Sequence, residues 1–166
     1  MADPLNSPAG RLRLLIADDH AIVREGMKRI LDAIGEGWTI AEASTGFQAL
    51  ELLRRAPVDI AIVDLSMPGM NGLDLIRRIK AEFPRVGVLV LSMHAEDQYA
   101  LRAFKNGANG YVTKDGAATE LVQAVRKVAG GGTYVTPTLA ERVVLDLQRG
   151  AAAPAHAELS DRELEV

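Results

Sequence analysis

The chain of 166 residues carries 19 Lys or Arg against 22 Asp or Glu, a formal net charge of −3, with 48% hydrophobic and 25% charged residues. That length allows one domain with residues to spare, the composition excludes wholesale disorder, and the lack of cysteine excludes a disulfide framework or a thiolate metal site. The acidic balance argues against a surface built mainly to grip nucleic acid phosphates. No apolar run approaches the roughly 20 residues of a membrane helix, and Met1 to Pro8 has no signal-peptide pattern. A cytoplasmic chain with no membrane partner is expected.

Residues 1–10 read as a flexible N-terminal tail. Short β-branched apolar runs follow at Leu12 to Ala17, Val58 to Val63, Val86 to Leu91 and Gly110 to Thr113, with a weaker one at Thr39 to Ala43. They are too short for helices and read as buried parallel strands. Between them lie helical spacings: Val23, Met27, Ile30, Leu31 and Ile34; then Ala49, Leu50, Leu52 and Leu53; then Leu73, Leu75, Ile76 and Ile79. Strand and helix alternate, which implies right-handed crossovers and an α/β fold, a doubly wound five-stranded parallel sheet. Ala117 to Ala129 places Leu121, Val122, Val125 and Val128 on one helical face, with Asp115 as its expected N-cap and Gly130 to Gly132 as its stop. The domain is expected over 11–130.

A linker is expected over 131–158. Thr136-Pro137 is a good N-cap and N1 pair for a helix at about 137–149, and Gly150 to Ala157 is rich in alanine. Leu159-Ser160-Asp161-Arg162-Glu163-Leu164 holds a capping box that opens a helix, and Val166 falls inside that helix. So short a helix does not hold alone in water and needs a partner.

Polar residues fall at the ends of the apolar runs: Asp18-Asp19 after the first, Asp64 after the third, Ser92 after the fourth, Thr113-Lys114 after the fifth. Open parallel sheets bind ligands outside the carboxyl ends of their strands, where strand order reverses. In the order 2-1-3-4-5 that point lies between strands one and three, bringing Asp18, Asp19 and Asp64 into one crevice flanked by Ser92 and Lys114. Three carboxylates repel by ~4 kcal/mol per pair at 4 Å and an effective dielectric near 20, so positive charge must sit among them. Lys114 supplies one charge and a hard divalent ion the rest, with Mg²⁺ the best fit. Such a cradle suits phosphoryl transfer, in which a carboxylate can be the nucleophile. Asp64 is the expected acceptor. It precedes the loop Ser66-Met67-Pro68-Gly69-Met70-Asn71-Gly72, whose glycines let the backbone turn close to the site.

Asp18-Asp19, Asp64 with Met67-Pro68-Gly69-Met70-Asn71-Gly72, Leu91-Ser92 and Tyr111-Val112-Thr113-Lys114 together resemble the receiver domain of two-component response regulators. The tail from Gly132-Thr133-Tyr134 to Val166 resembles the linker and opening helix of the NarL/FixJ subfamily. On that basis residues 159–166 begin a LuxR-type helix-turn-helix most of which is missing. The resemblance implies that Asp64 accepts a phosphoryl group from a sensor histidine kinase. It implies Mg²⁺ ligation by Asp19, Asp64 and the Ser66 backbone carbonyl, with Asp18 acting through water. Lys114 would pair with phosphoryl oxygens, Ser92 would be the switch hydroxyl, and Tyr111 the switch aromatic that turns inward. Ser66 and His94 stand where such domains tune phosphate lifetime. Implied too are a homodimer on phosphorylation and contact with DNA only through the missing C-terminal domain, for transcription regulation.

Plainer readings stand beside these. Asp18-Asp19 alone would cap a helix beginning at Ala21. His20, with no second histidine nearby, makes a poor metal ligand. Met67, Met70, Met93 and Trp38 read as packing, and Arg77, Arg78 and Lys80 as a solvated helix face. The alternative function is a haloacid dehalogenase-like phosphohydrolase using an aspartyl phosphate, which needs a second Asp where Ser66 stands. A nucleotide binder needs a glycine-rich first turn, absent from Asp18-Asp19-His20-Ala21. The chain thus reads as a phosphoacceptor signalling domain rather than an enzyme on free substrates.

Overall fold

The computed structural model describes residues 11–93 and 97–135, with residues 140, 141, 144, 145 and 148 beyond them. Five strands alternate with five helices: β1 (Arg13–Ala17), α1 (Ala21–Asp32), β2 (Thr39–Ala43), α2 (Gly46–Arg55), β3 (Ile60–Asp64), α3 (Gly72–Glu82), β4 (Gly87–Ser92), α4 (Asp97–Lys105), β5 (Gly110–Thr113) and α5 (Ala117–Ala129). All strand pairs are parallel, in the order β2-β1-β3-β4-β5. This is the doubly wound sheet expected.

Successive strand side chains point to opposite faces, so the runs split into two cores. Leu15, Ala17, Ala61, Val63, Val88, Val90 and Tyr111 face α2, α3 and α4, while Leu14, Ile16, Ile60, Ile62, Leu89, Leu91 and Val112 face α1 and α5. Strands covered on both faces cannot alternate polar and apolar, which is why they read as continuous apolar runs. Trp38, Met67 and Met70 are buried as expected, whereas Met93 is exposed.

Local capping differs from the sequence reading at two places. The N-cap of α1 is His20, without a side-chain cap bond, and Asp18 Oδ1 instead accepts the His20 N–H at 2.8 Å. The acidic pair therefore sits before the helix rather than capping it. The chain reaches α5 through a short 3₁₀ turn, Lys114–Gly116, so the N-cap is Gly116 rather than Asp115, and the Gly116 N–H is taken by Thr113 Oγ1. By contrast, Asn71 caps α3 by accepting from the Leu73 N–H.

Lys80 is not part of a solvated face. Its ammonium donates to the carbonyls of Pro84 and Val86 and to Asn109 Oδ1, tying the end of α3 to the loops before β4 and β5. Arg77 and Arg78 pair with Asp74 at the surface. Past residue 130 the chain stays on the domain: Tyr134 forms a parallel bridge to Gly110, donates its N–H to the Asn109 carbonyl and accepts the Tyr111 N–H. Residues 140, 141, 144, 145 and 148 are helical, within the span where a linker helix is expected. The tail at 1–10, His94, and the segment 151–166 with its capping box lie outside the described residues.

Candidate functional site

Register alone gathers the site. Ala17 pairs with Val63, so Asp18, the next residue, comes beside Asp64 at the end of β3. Asp64 pairs with Leu91 and Ser92 with Thr113, so Ser92 and Lys114 complete the row of strand ends. Asp18, Asp64 and Ser92 are buried, and the Lys114 side chain is 10% exposed. Lys114 Nζ lies 3.1 Å from Asp18 Oδ2 and 3.4 Å from Asp64 Oδ2, a single cation shared between two carboxylates.

One cation does not satisfy this cluster. Asp18 Oδ2, Asp19 Oδ1 and Asp64 Oδ2 are buried oxygens without a hydrogen-bond partner; Lys114 stands at ion-pair distance from two of them but outside hydrogen-bond geometry. Burial chiefly pushes the Asp64 carboxyl above its ordinary range. The Ser66 N–H, donating to Asp64 Oδ1 at 3.1 Å, opposes that; Asp18 raises it further and Lys114 lowers it. Asp18, Asp19, His20 and Asp64 each offer a donor atom within 4.8 Å of the others. Hard, unpartnered carboxylate oxygens at this spacing fit a divalent cation.

The loop after β3 is shaped by close backbone approach. Gly69 has φ +89°, and a Cβ on Gly72 would meet Leu65 Cα at 2.5 Å. Glycine at 72 thus lets the start of α3 fold back against the residue after Asp64. Ser66, where a dehalogenase-type acid would stand, is exposed.

Tyr111 is buried in the α2–α4 core beside Ala100 and Ala103. Its ring is fully buried in this structure. The alternation of β5 aims residue 111 at that face.

One participant, His20, was set aside in the sequence reading, and another, Arg24, escaped it. His20 Nδ1 lies 3.1 Å from Asp19 Oδ1 and 3.3 Å from Asp18 Oδ1, and the adjacency Asp-Asp-His was the available signal. Arg24 donates to the Asp18 carbonyl while pairing with Glu42 on β2, which holds the acidic turn against the sheet. A lone arginine on a helix carries no such signal.

Among the described residues no helix is long and apolar enough to cross a membrane. The family model for the response regulator receiver domain matches residues 14–126. Transcriptional regulatory protein DegU of Brevibacillus brevis is 36% identical over 139 residues, 84% of this chain and 59% of DegU. Response regulator UvrY of Escherichia coli K12 is 34% identical over 156 residues, 93% of this chain and 72% of UvrY. The crystal structure of a LuxR-family two-component response regulator from Aurantimonas sp. SI85-9A1 superposes with a TM-score of 0.77 at 34% identity, covering 82% of this chain and 97% of that one. The chain thus spans little more than half of DegU. Matching sequence and sheet order together make this chain a member of the response regulator receiver family, of the NarL/FixJ type.

Proposed function

We propose that Asp64 is the phosphoacceptor of this receiver, that Mg²⁺ is its cation, and that a sensor histidine kinase is the donor. The observation carrying this reading is Asp64 Oδ2 itself: buried, without a hydrogen-bond partner, and 3.4 Å from Lys114. A carboxylate so placed is stripped of competing donors and raised in basicity, both of which favour attack at phosphorus. The Asp64 oxygen forms the new O–P bond as the P–N bond of the donor phosphohistidine breaks. Lys114 neutralises charge on the transferring oxygens. Asp19, Asp64 and the Ser66 carbonyl would hold Mg²⁺, with Asp18 acting through water; the ion would supply charge neutralisation and hold a phosphoryl oxygen.

The phosphoryl group adds charge and acceptor oxygens that draw the Ser92 hydroxyl, at the end of the adjacent β4, toward Asp64. Tyr111 and the surface of α4, β5 and α5 would carry the change outward. Residues 11–130 then act as the receiver and 131–158 as its linker, with 159–166 opening a LuxR-type DNA-binding domain. The role is that of a signalling acceptor in transcription regulation, as the name of DegU supports, with homodimerisation on phosphorylation.

The test is incubation with Mg²⁺ and acetyl phosphate followed by intact mass. A gain of one phosphate, prevented by chelation and lost in Asp64→Asn, is expected. Persistence of the gain in Asp64→Asn overturns the acceptor assignment. Size-exclusion chromatography of the same samples reads the dimer.

A further inference from the structure

His20 contributes nothing to the reading above, yet its ring stands at the rim of the acidic cleft. Its Nδ1 is 3.1 Å from Asp19 Oδ1 and 3.3 Å from Asp18 Oδ1, and its donor atom groups with those of Asp18, Asp19 and Asp64 within 4.8 Å. Adjacent donors of an octahedral divalent ion stand about 3 Å apart, √2 times a bond of about 2.1 Å. The imidazole nitrogen therefore sits at ligand spacing from Asp19 Oδ1, while its contact with Asp18 Oδ1 is a hydrogen bond.

The backbone that carries the ring is fixed on both sides. The His20 N–H donates to Asp18 Oδ1 at 2.8 Å and its carbonyl accepts the Arg24 N–H, while the side chain makes no cap bond to α1. It is 62% exposed, so ring and solvent exchange freely at the cleft mouth. Three buried carboxylate oxygens of the cluster, Asp18 Oδ2, Asp19 Oδ1 and Asp64 Oδ2, lack hydrogen-bond partners, a donor set that suits a cation.

We propose that His20 is a nitrogen ligand of the cleft cation and biases this receiver from Mg²⁺ toward first-row transition ions. The inference rests on the cation reading above. Coordination would replace the 3.3 Å contact of Nδ1 with Asp18 Oδ1. Imidazole suits borderline ions such as Ni²⁺, whereas Mg²⁺ takes oxygen donors and keeps its waters. The same cleft without the ring would lose much of that discrimination.

The test compares the whole chain with His20→Asn, which keeps a favoured N-cap residue ahead of α1 and so preserves the helix. Calorimetric titration with Ni²⁺ and with Mg²⁺ gives the preference of each protein, after circular dichroism has verified the fold. The preference for Ni²⁺ is expected to fall by about tenfold in the variant, with Mg²⁺ affinity little changed. Mn²⁺ bound to the native chain should show electron spin-echo modulation from a directly bound ring nitrogen, absent in His20→Asn. An unchanged preference, no modulation in the native chain, or modulation that survives the substitution overturns the proposal while leaving the cation site intact. Binding of neither ion to the native chain overturns both.

Discussion

Replacing Asp64 with Asn should stabilise this fold whenever no divalent ion is bound. Carboxylate oxygens of Asp18 and Asp19 lie within 4.8 Å of the Asp64 donor. At an effective dielectric near 20, each such pair repels by roughly 3.5 kcal/mol or more. Lys114, at 3.4 Å, offsets about 5 kcal/mol on the same scale. Asp19 is 27% exposed and partly screened, which leaves Asp64 disfavoured by about 1–2 kcal/mol before its burial is counted. The direction agrees with the carboxyl of Asp64 being pushed up, chiefly by burial.

A carboxyl whose folded pKa exceeds its unfolded value holds its proton more tightly in the fold. Its penalty is absent below the unfolded value and complete above the folded one. The gain from Asn is therefore present at neutral pH and disappears as pH falls through the ordinary carboxylate range. Urea unfolding in a chelator should show it, with a thermal midpoint higher by about 3–8 °C. Saturating Mg²⁺ should narrow the gap by stabilising the native protein alone. An Asn variant no more stable than the native chain at neutral pH, or a gain undiminished in acid, would refute the reasoning.

Lys114→Met removes the one cation shared by Asp18 and Asp64. Its unfolding free energy in chelator should drop by about 3 kcal/mol and recover in part with Mg²⁺, measured by urea titration. Gly72→Ala drives a Cβ to 2.5 Å from Leu65 Cα and 2.8 Å from its carbonyl oxygen, so a loss of about 1–3 kcal/mol is expected together with slower labelling by acetyl phosphate. A variant with native stability and native labelling would show that this backbone yields easily. Tyr134→Phe deletes the 2.8 Å bond from the phenol to Glu120 Oε1, worth about 1–3 kcal/mol for a hydrogen bond to a charged group. Burial first, then the bond and charge of Glu120, push that phenol up to about 12. Its contribution therefore stands below the ordinary tyrosine value and drains as pH climbs through about 12. Unfolding midpoints of native and Phe chains should converge over that window.

The fold was legible because strands buried on both faces must be continuously apolar, and helices covering them must repeat every three or four residues. Those two patterns dictate alternation, and alternation with a parallel sheet leaves few orders to choose from. Asp18, Asp64 and Lys114 were legible for the same reason, since a charged residue at the end of an apolar run has nowhere to go but the sheet's carboxyl edge. Caps were less so: Asp18-Asp19 and Asp115 are good N-caps by type, but local turns offered the helices other partners. Lys80 read as solvated because nothing in its own helix announces three acceptors, two presented by the turn that follows α3 and one by the loop before β5.

What the sequence determined by itself, then, was which polar residues stand at the strand ends and on which strand each one ends, because periodicity and run length are local properties. Only the tertiary structure decided how those charges are shared. The register that sets Asp18 beside Asp64 and the lysine between them depend on strands and loops meeting in space. The return of Tyr134 to the outer edge of β5 is of the same kind. Coulomb repulsion and hydrogen bonding act over a few ångströms of space rather than along the chain, and it is folding that sets those distances.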